Sequence, residues 1–188
     1  MAFRFEELTI PGMILVKPTI HGDHRGAFQE TYRRSAFREG GIEAEFVQDN
    51  AARSRQGVLR GLHFQHPPRA QGKLVRVSRG RILDVGVDLR KDLPTYGHWV
   101  GVELDEASGN ALYLPPGLAH GYLVLSPEAD VNYKVTAEYA PELEAGVRWN
   151  DPRLAIDWPL EDPFLSEKDR ELPSLDQVES TLRWRREE

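Results

Sequence analysis

A chain without cysteine can form no disulfide, and at 188 residues it needs none. A domain of this length buries roughly 70% of its unfolded surface. The absence fits a reducing compartment. Long apolar runs are also lacking. The opening stretch MAFRFEELTIPGMILVKP is broken by charges and prolines, which excludes a signal peptide or a membrane helix there, so a soluble, cytoplasmic protein is expected. There is no excess of positive charge: 24 Lys and Arg stand against 30 Asp and Glu, a formal net charge of −6. That balance argues against nucleic acid as the main partner. Helix is scarce, and no repeat, low-complexity segment or domain linker interrupts the chain. One domain over 1–188 is expected.

What the sequence does hold is alternation with a period of two. In GRILDVGVDLR (80–90), Leu83, Val85, Val87 and Leu89 share one face, and Ile82, Asp84, Gly86 and Asp88 share the other. Arg79-Gly80 supplies a turn after KLVRVS. Further strands are predicted at 98–104, 111–114, 120–125 and 131–136, separated by the turn-rich pieces DEASGN (105–110), PPG (115–117) and SPEAD (126–130). Short strands at such spacing, with 16 glycines and 13 prolines, indicate an all-β fold closed on itself or built of two antiparallel sheets. SAFREGG (35–41), with a serine cap and a glycine stop, predicts a turn or two of helix, and LSEKDRELPSLDQVESTLRWRREE holds further short helical turns before a frayed, charged end. Arginines cluster as Arg33 with Arg34, Arg53 with Arg55, and Arg76, Arg79 and Arg81. The simplest role for each is a solvated charge on a strand edge or turn.

Of the six histidines, His21 and His24 lie in the loop HGDHRG, His66 precedes Pro67-Pro68, and His98 begins a strand. His63 and His120 carry more information. His120 closes Pro115-Pro116-Gly117-Leu118-Ala119-His120, a P-x-G-x-x-H pattern that resembles the second motif of the cupin superfamily. The first cupin motif requires H-x-H and then a glutamate. Here the corresponding stretch reads His63-Phe64-Gln65-His66 and then Gln71-Gly72-Lys73. A lysine cation among metal ligands repels the metal, so a metal site is disfavoured. Proton chemistry suits these residues better. His63 is the natural base, and Lys73 can stabilise charge developing on an enolate oxygen. Tyr133 alternates with Val131 and Val135, so it points inward with them and can donate a proton. Taken from its own strand alone, Tyr133 also reads as an ordinary core tyrosine with its hydroxyl at the rim.

The segments DHRGAFQETYR (23–33), FVQDNAARSRQGVLRGLHFQ (46–65), QGKLVRVSRGRILDVGVDLR (71–90), YLPPGLAHGYLVL (113–125), YKVTAEYAPELEAGVRWNDPRLAIDWP (133–159) and LSEKDRELPSL (165–175) together resemble the dTDP-4-dehydrorhamnose 3,5-epimerase family, in the family's order from about residue 3 to 175. The resemblance implies a cupin-like jelly roll, a double-stranded β-helix with a few short helices. It also implies a cofactor-independent, metal-free inversion of C3 and C5 of dTDP-4-dehydro-6-deoxy-D-glucose. His63 is then the base, with Asp169 orienting it and stabilising its cationic form. Tyr133 is the acid on the other side, and Lys73 the cation near the C4 oxygen. Arg25 and Arg60 contact the nucleotide and its phosphates, and Lys168 lies at the same end. Glu30, Gln48, Asp49, Asn50, His120 and Glu144 occupy substrate-contact positions, while Phe28 and Tyr139 stack on thymine. N-terminal strands exchanged in a homodimer would carry Arg25, Phe28 and Glu30 to the partner's site. Residues 176–188 fall outside the resemblance as a peripheral tail. Three rivals remain: an epimerase inverting C3 alone, a non-catalytic nucleotide-sugar-binding cupin, and a metal-dependent cupin oxygenase.

VLRGLHFQ (58–65) carries one further expectation. Strict alternation places Arg60 with Val58, Leu62 and Phe64, and His63 with Leu59 and Gln65, on opposite faces. If both line one pocket, the strand must break its alternation, and Gly61 is the residue that permits it.

Overall fold

The computed structural model describes residues 2–182 and 184. Among them the alternating segments form strands β1 (Phe3–Glu7), β2 (Ile14–Pro18), β3 (His21–Asp23), β4 (Gly26–Phe28), β5 (Gln48–Arg55), β6 (Leu59–Gln65), β7 (Lys73–Arg79), β8 (Arg81–Asp88), β9 (Trp99–Asp105), β10 (Ala111–Leu114), β11 (Leu118–Val124), β12 (Glu128–Val135) and β13 (Glu144–Gly146). Helix is confined to α1 (Arg34–Glu39), α2 (Glu167–Arg170) and α3 (Leu175–Glu179), with one 3₁₀ turn at Pro141–Leu143. One sheet has the order β1-β2-β10-β7-β12-β5 and a second the order β13-β6-β11-β8-β9, while β3 and β4 form a hairpin of their own. Strand neighbours in the two large sheets run antiparallel. The sheets face each other as a cupin-like jelly roll.

β8 is covered on both faces, which explains why it shows little contrast in burial. Ile82 joins Val75, Val77, Leu104, Leu112, Leu118 and Val131 in the core between the sheets. The more apolar face, Val85 and Val87, instead packs outward with Leu62, Phe64, Ala119 and the later residues Val147, Leu154, Leu175 and Val178. On the other sheet, Phe37 of α1 and Ile42 cover Ile14, Val16, Leu74 and Tyr113. The period of two is therefore real, but its apolar side marks the sheet's cover, and the interior of the barrel receives the mixed set that includes Asp84.

Three local expectations are corrected. Ser35 does not cap α1: Arg33 is the N-cap, without a side-chain hydrogen bond, and Ser35 lies inside the first turn, whereas Gly40 does end the helix. SPEAD is a turn only at its start, because Glu128–Asp130 pair with Arg53–Arg55 and extend β12. The stretch after 175, expected as a peripheral tail, is packed over its described part. Val178 is buried and Leu182 and Trp184 lie against the same cluster, and Ser174 and Gln177 form a capping box. Arg183 and 185–188 lie outside the described residues. The arginine clusters are mostly ion-paired at the surface: Arg33 with Glu30, Arg34 with Glu45, Arg53 with Asp130, Arg79 with Glu128 and Arg81 with Glu103, while Arg55 lies over the Phe164 ring.

The break in β6 falls where alternation required it. His63 pairs with His120 and Arg60 with Tyr122. Three steps along β6 therefore match two along β11, and the extra residue turns Arg60 and His63 to one side. Gly61 has φ +127°. A Cβ there would stand 2.5 Å from the Gly121 Cα and 2.8 Å from the His120 carbonyl oxygen. Gly61→Ala is expected to lower unfolding stability by about 3 kcal/mol or more, combining backbone strain with overpacking against main chain. Gly97→Ala, at φ +76° with nothing within 4 Å, should cost only about 1 kcal/mol. Urea unfolding of the pair tests this.

Candidate active site

Two cavities open into the barrel, of about 260 Å³ and about 300 Å³. They share His63, Lys73 and Tyr133, so these three stand at the junction of one cleft with two lobes. One lobe is lined by Gln48, Asn50, Gln65, Gln71, Tyr139 and Glu144. The other is lined by Arg60, His120, Tyr122, Ser166, Lys168 and Asp169. His63 comes from the five-stranded sheet, while Lys73 and Tyr133 come from the six-stranded one. The histidine and the tyrosine thus approach the junction from facing walls.

His63 Nε2 lies 2.6 Å from Asp169 Oδ1. A carboxylate only accepts, so Nε2 carries the proton and Nδ1 is left as the basic nitrogen. Asp169, 106 residues away, arrives by a specific route. Phe164 bridges to Val58 beside the start of β6, with Leu59 N donating to Phe164 O at 3.0 Å and Phe164 N to Gly57 O at 2.8 Å. Ser166 then caps α2 by accepting from Asp169 N, which fixes where the buried Asp169 carboxylate points. Burial pushes that carboxyl up, but the hydrogen bond from His63, the charge on that ring and Ser166 outweigh it and leave its pKa lowered. Tyr133 is held above the usual phenol range by burial, aided by Glu144 and opposed by Arg60, so it keeps its proton at neutral pH.

Lys73 is buried and its ammonium is pushed down to about 8 by that burial, with Asp84 and Glu144 acting in the opposite sense. Its hydrogen bond to the His63 carbonyl oxygen is long, at 3.4 Å. A second His–Asp pair lies deeper. His120 Nε2 is 2.7 Å from Asp84 Oδ1, and both side chains are buried. Burial lowers the His120 pKa against the pull of Asp84, so this imidazole is neutral. The more exposed His63 is the better placed base of the two. Among the described residues, no three His, Asp or Glu side chains converge as a metal-ligand set.

At the mouth, Glu144 accepts from Tyr139 Oη at 2.5 Å and pairs with Lys168 at 2.6 Å. Gln65, buried within β6, accepts from Ala140 N and donates to Arg69 O and Glu138 O. Gln48 Oε1 accepts from Tyr139 N. Two glutamines thereby hold the segment that presents the half-exposed Tyr139 ring. Arg60 donates through Nε to Ser54 Oγ at 3.1 Å.

Not every expected site residue reaches the cleft. Asp49 faces away from it: the period of two that turns Gln48 and Asn50 inward turns Asp49 outward, where it is exposed and pairs with Lys134 at 2.8 Å. Arg25 and Phe28 ride on the separate β3–β4 hairpin, Arg25 bound to Asp23 and Phe28 69% exposed. Glu30 pairs with Arg33. Within the chain none of the three lines the cleft. Residues not foreseen are Asp84, Tyr122, Ser54, Ser166, Gln65 and Gln71. A carboxylate inside an otherwise apolar strand was the signal for Asp84. Nothing local marks the others.

A family model described as dTDP-4-dehydrorhamnose 3,5-epimerase matches residues 7–177. The chain belongs to this family. A dTDP-4-dehydrorhamnose 3,5-epimerase from Methanothermobacter thermautotrophicus is 52% identical over 171 residues, covering 89% of this chain and 92% of that protein. The crystal structure of the Legionella pneumophila Philadelphia 1 epimerase in complex with dTDP-4-keto-L-rhamnose superposes with a TM-score of 0.94 at 43% identity, covering 99% of this chain and all of that one. A 3′-monoepimerase from Streptomyces bikiniensis, in complex with dTDP-quinovose, shares the architecture at a TM-score of 0.87 and 38% identity, covering 93% of this chain and 89% of that one. The fold thus occurs in proteins described as single- and as double-inverting epimerases.

Proposed function

We propose that this protein is a cofactor-independent epimerase that converts dTDP-4-dehydro-6-deoxy-D-glucose to dTDP-4-dehydro-L-rhamnose. The observation that carries the residue roles is the junction of the cleft: His63 backed by the Asp169 carboxylate on one wall and a protonated Tyr133 on the other, with Lys73 beside them. C3 and C5 both flank the C4 ketone, so their protons are acidified by the same carbonyl. His63 Nδ1 removes a proton, and the electron pair moves into the C4 carbonyl to give an enolate. Lys73 stabilises the negative oxygen. Tyr133 returns a proton to the opposite face, which inverts the centre. The two-sided placement of base and acid is what an inversion needs and a simple proton exchange does not.

Arg60 and Lys168 suit the diphosphate, where charge-assisted hydrogen bonds contribute about 1.5–3 kcal/mol each. Tyr139 suits the thymine ring. A homodimer completes this picture. Arg25, Phe28 and Glu30 lie away from the chain's own cleft, and the hairpin of Arg25 and Phe28 pairs with no strand of the large sheets, which supports a role for them at a partner's nucleotide. The cytoplasm is the expected compartment, in keeping with a chain that has no cysteine. No helix among the described residues is long and apolar enough to cross a membrane.

Proton NMR of the dTDP-4-keto sugar turned over in D₂O tests the activity. Deuterium should enter at both C3 and C5. Label confined to C3 would assign the protein to the single-inversion type, and no label would leave it a binding protein.

A further inference from the structure

We propose that Asp84 is a positioning residue for this epimerisation: the fixed buried anion that orients His120 and holds Lys73 as an ammonium beside the C4 oxygen. The proposal rests on the assignment of Lys73 as the group that stabilises the enolate. Ten charged or titratable groups line the cleft around Lys73 or act on it: Arg60 and His63 of β6, Asp84 of β8, His120 and Tyr122 of β11, Tyr133 of β12, Tyr139, Glu144 of β13, and Lys168 and Asp169 of α2. Two of the three carboxylates are already committed. Glu144 is bound by Lys168 and Tyr139, and Asp169 by His63.

Asp84 differs. It is fully buried, its Oδ1 accepts a hydrogen bond from His120 Nε2 at 2.7 Å, and its Oδ2 has no hydrogen-bond partner among the described residues. His120 stays neutral through burial, so the pair keeps its full negative charge instead of cancelling it. Lys73 for its part has three donors and one long hydrogen bond. The link between them is His120, which bonds Asp84 and lines the same lobe of the cleft as Lys73, so the carboxylate acts on the ammonium across a low-dielectric site without a direct ion pair. Without that anion, only Glu144 opposes the burial that disfavours the Lys73 ammonium.

The test is Asp84→Asn in the full chain with ¹³C-lysine labelling. Five lysines are present, Lys17, Lys73, Lys91, Lys134 and Lys168, and Lys73→Arg assigns the signal. In the wild type Lys73 should titrate near 8, below the ordinary range of a lysine side chain. In Asp84→Asn it should titrate lower by more than about half a pH unit, the alkaline limb of kcat should move with it, and kcat at neutral pH should fall by about tenfold with KM within a few-fold. Asp84→Ser is the second neutral variant. Unchanged Lys73 titration in a folded variant overturns the proposal and leaves the activity intact. A shifted titration in a protein that never exchanges C3 or C5 protons supports the anion's role but removes the proposed reaction. If both neutral variants fail to fold, the carboxylate is a requirement of the fold and the proposal falls.

Discussion

His63→Asn should lower kcat by about 10² to 10⁴, the usual contribution of a positioned base, with KM within a few-fold of wild type. Asparagine is too short to reach Asp169 as Nε2 does and offers no basic nitrogen to take the proton, while the bridge from Phe164 to Val58 still seats the segment before α2. Because His63 is only partly buried (its side chain is 28% exposed), little stability should be lost. His120→Asn is the necessary comparison, since two His–Asp pairs border the same cleft. Exchange of both the C3 and C5 protons into D₂O should disappear in His63→Asn and persist, more slowly, in His120→Asn. The reverse pattern would move the base to the deeper pair. Such a reversal would require a proton to be taken by an imidazole whose pKa is depressed by burial, and that weaker basicity is why we assign the role to His63.

Tyr133→Phe should separate abstraction from inversion. Loss of the phenol leaves His63, Asp169 and Lys73 in place, so the substrate should still exchange protons with solvent. What it loses is the donor on the opposite wall. Formation of the L-rhamno product should fall by about 10² to 10⁴, while deuterium still enters with retained configuration. The ring itself packs partly against the barrel core, which phenylalanine can fill, so melting behaviour should change little. Exchange and inversion falling by the same factor would mean that Tyr133 acts at or before proton removal, and the facing-wall mechanism would be wrong.

The two predictions differ in how far the residues behind them could be read from one dimension. Tyr133 was placed inward by alternation with Val131 and Val135, and the barrel agrees because β12 is regular there. Asp49 was carried over as a contact, and the same alternation moves it to the outer face, where it meets Lys134. Ser166 and Ser174 cap their helices in the structure, whereas the cap expected at Ser35 is not formed. In the first two cases the serine precedes the turn, and in the third the helix has already begun. Residues 176–188 read as a peripheral tail because they fall outside the resemblance. The segment is nevertheless held, because Leu175 and Val178 meet a sheet face that would otherwise be exposed.

Period-two strands, a chain without disulfides, an inward Tyr133 and a required break at Gly61 followed from the amino-acid sequence by itself, because each depends on neighbours one or two positions away. The register between β6 and β11, the seating of Asp169 beside His63 and the burial of Asp84 against His120 were decided only by the tertiary structure. Each joins residues tens of positions apart, and the free energy that selects them comes from closing two sheets over a common core. No single strand carries that free energy. The sequence made a base and an acid available, and the closing of the barrel put them on facing walls.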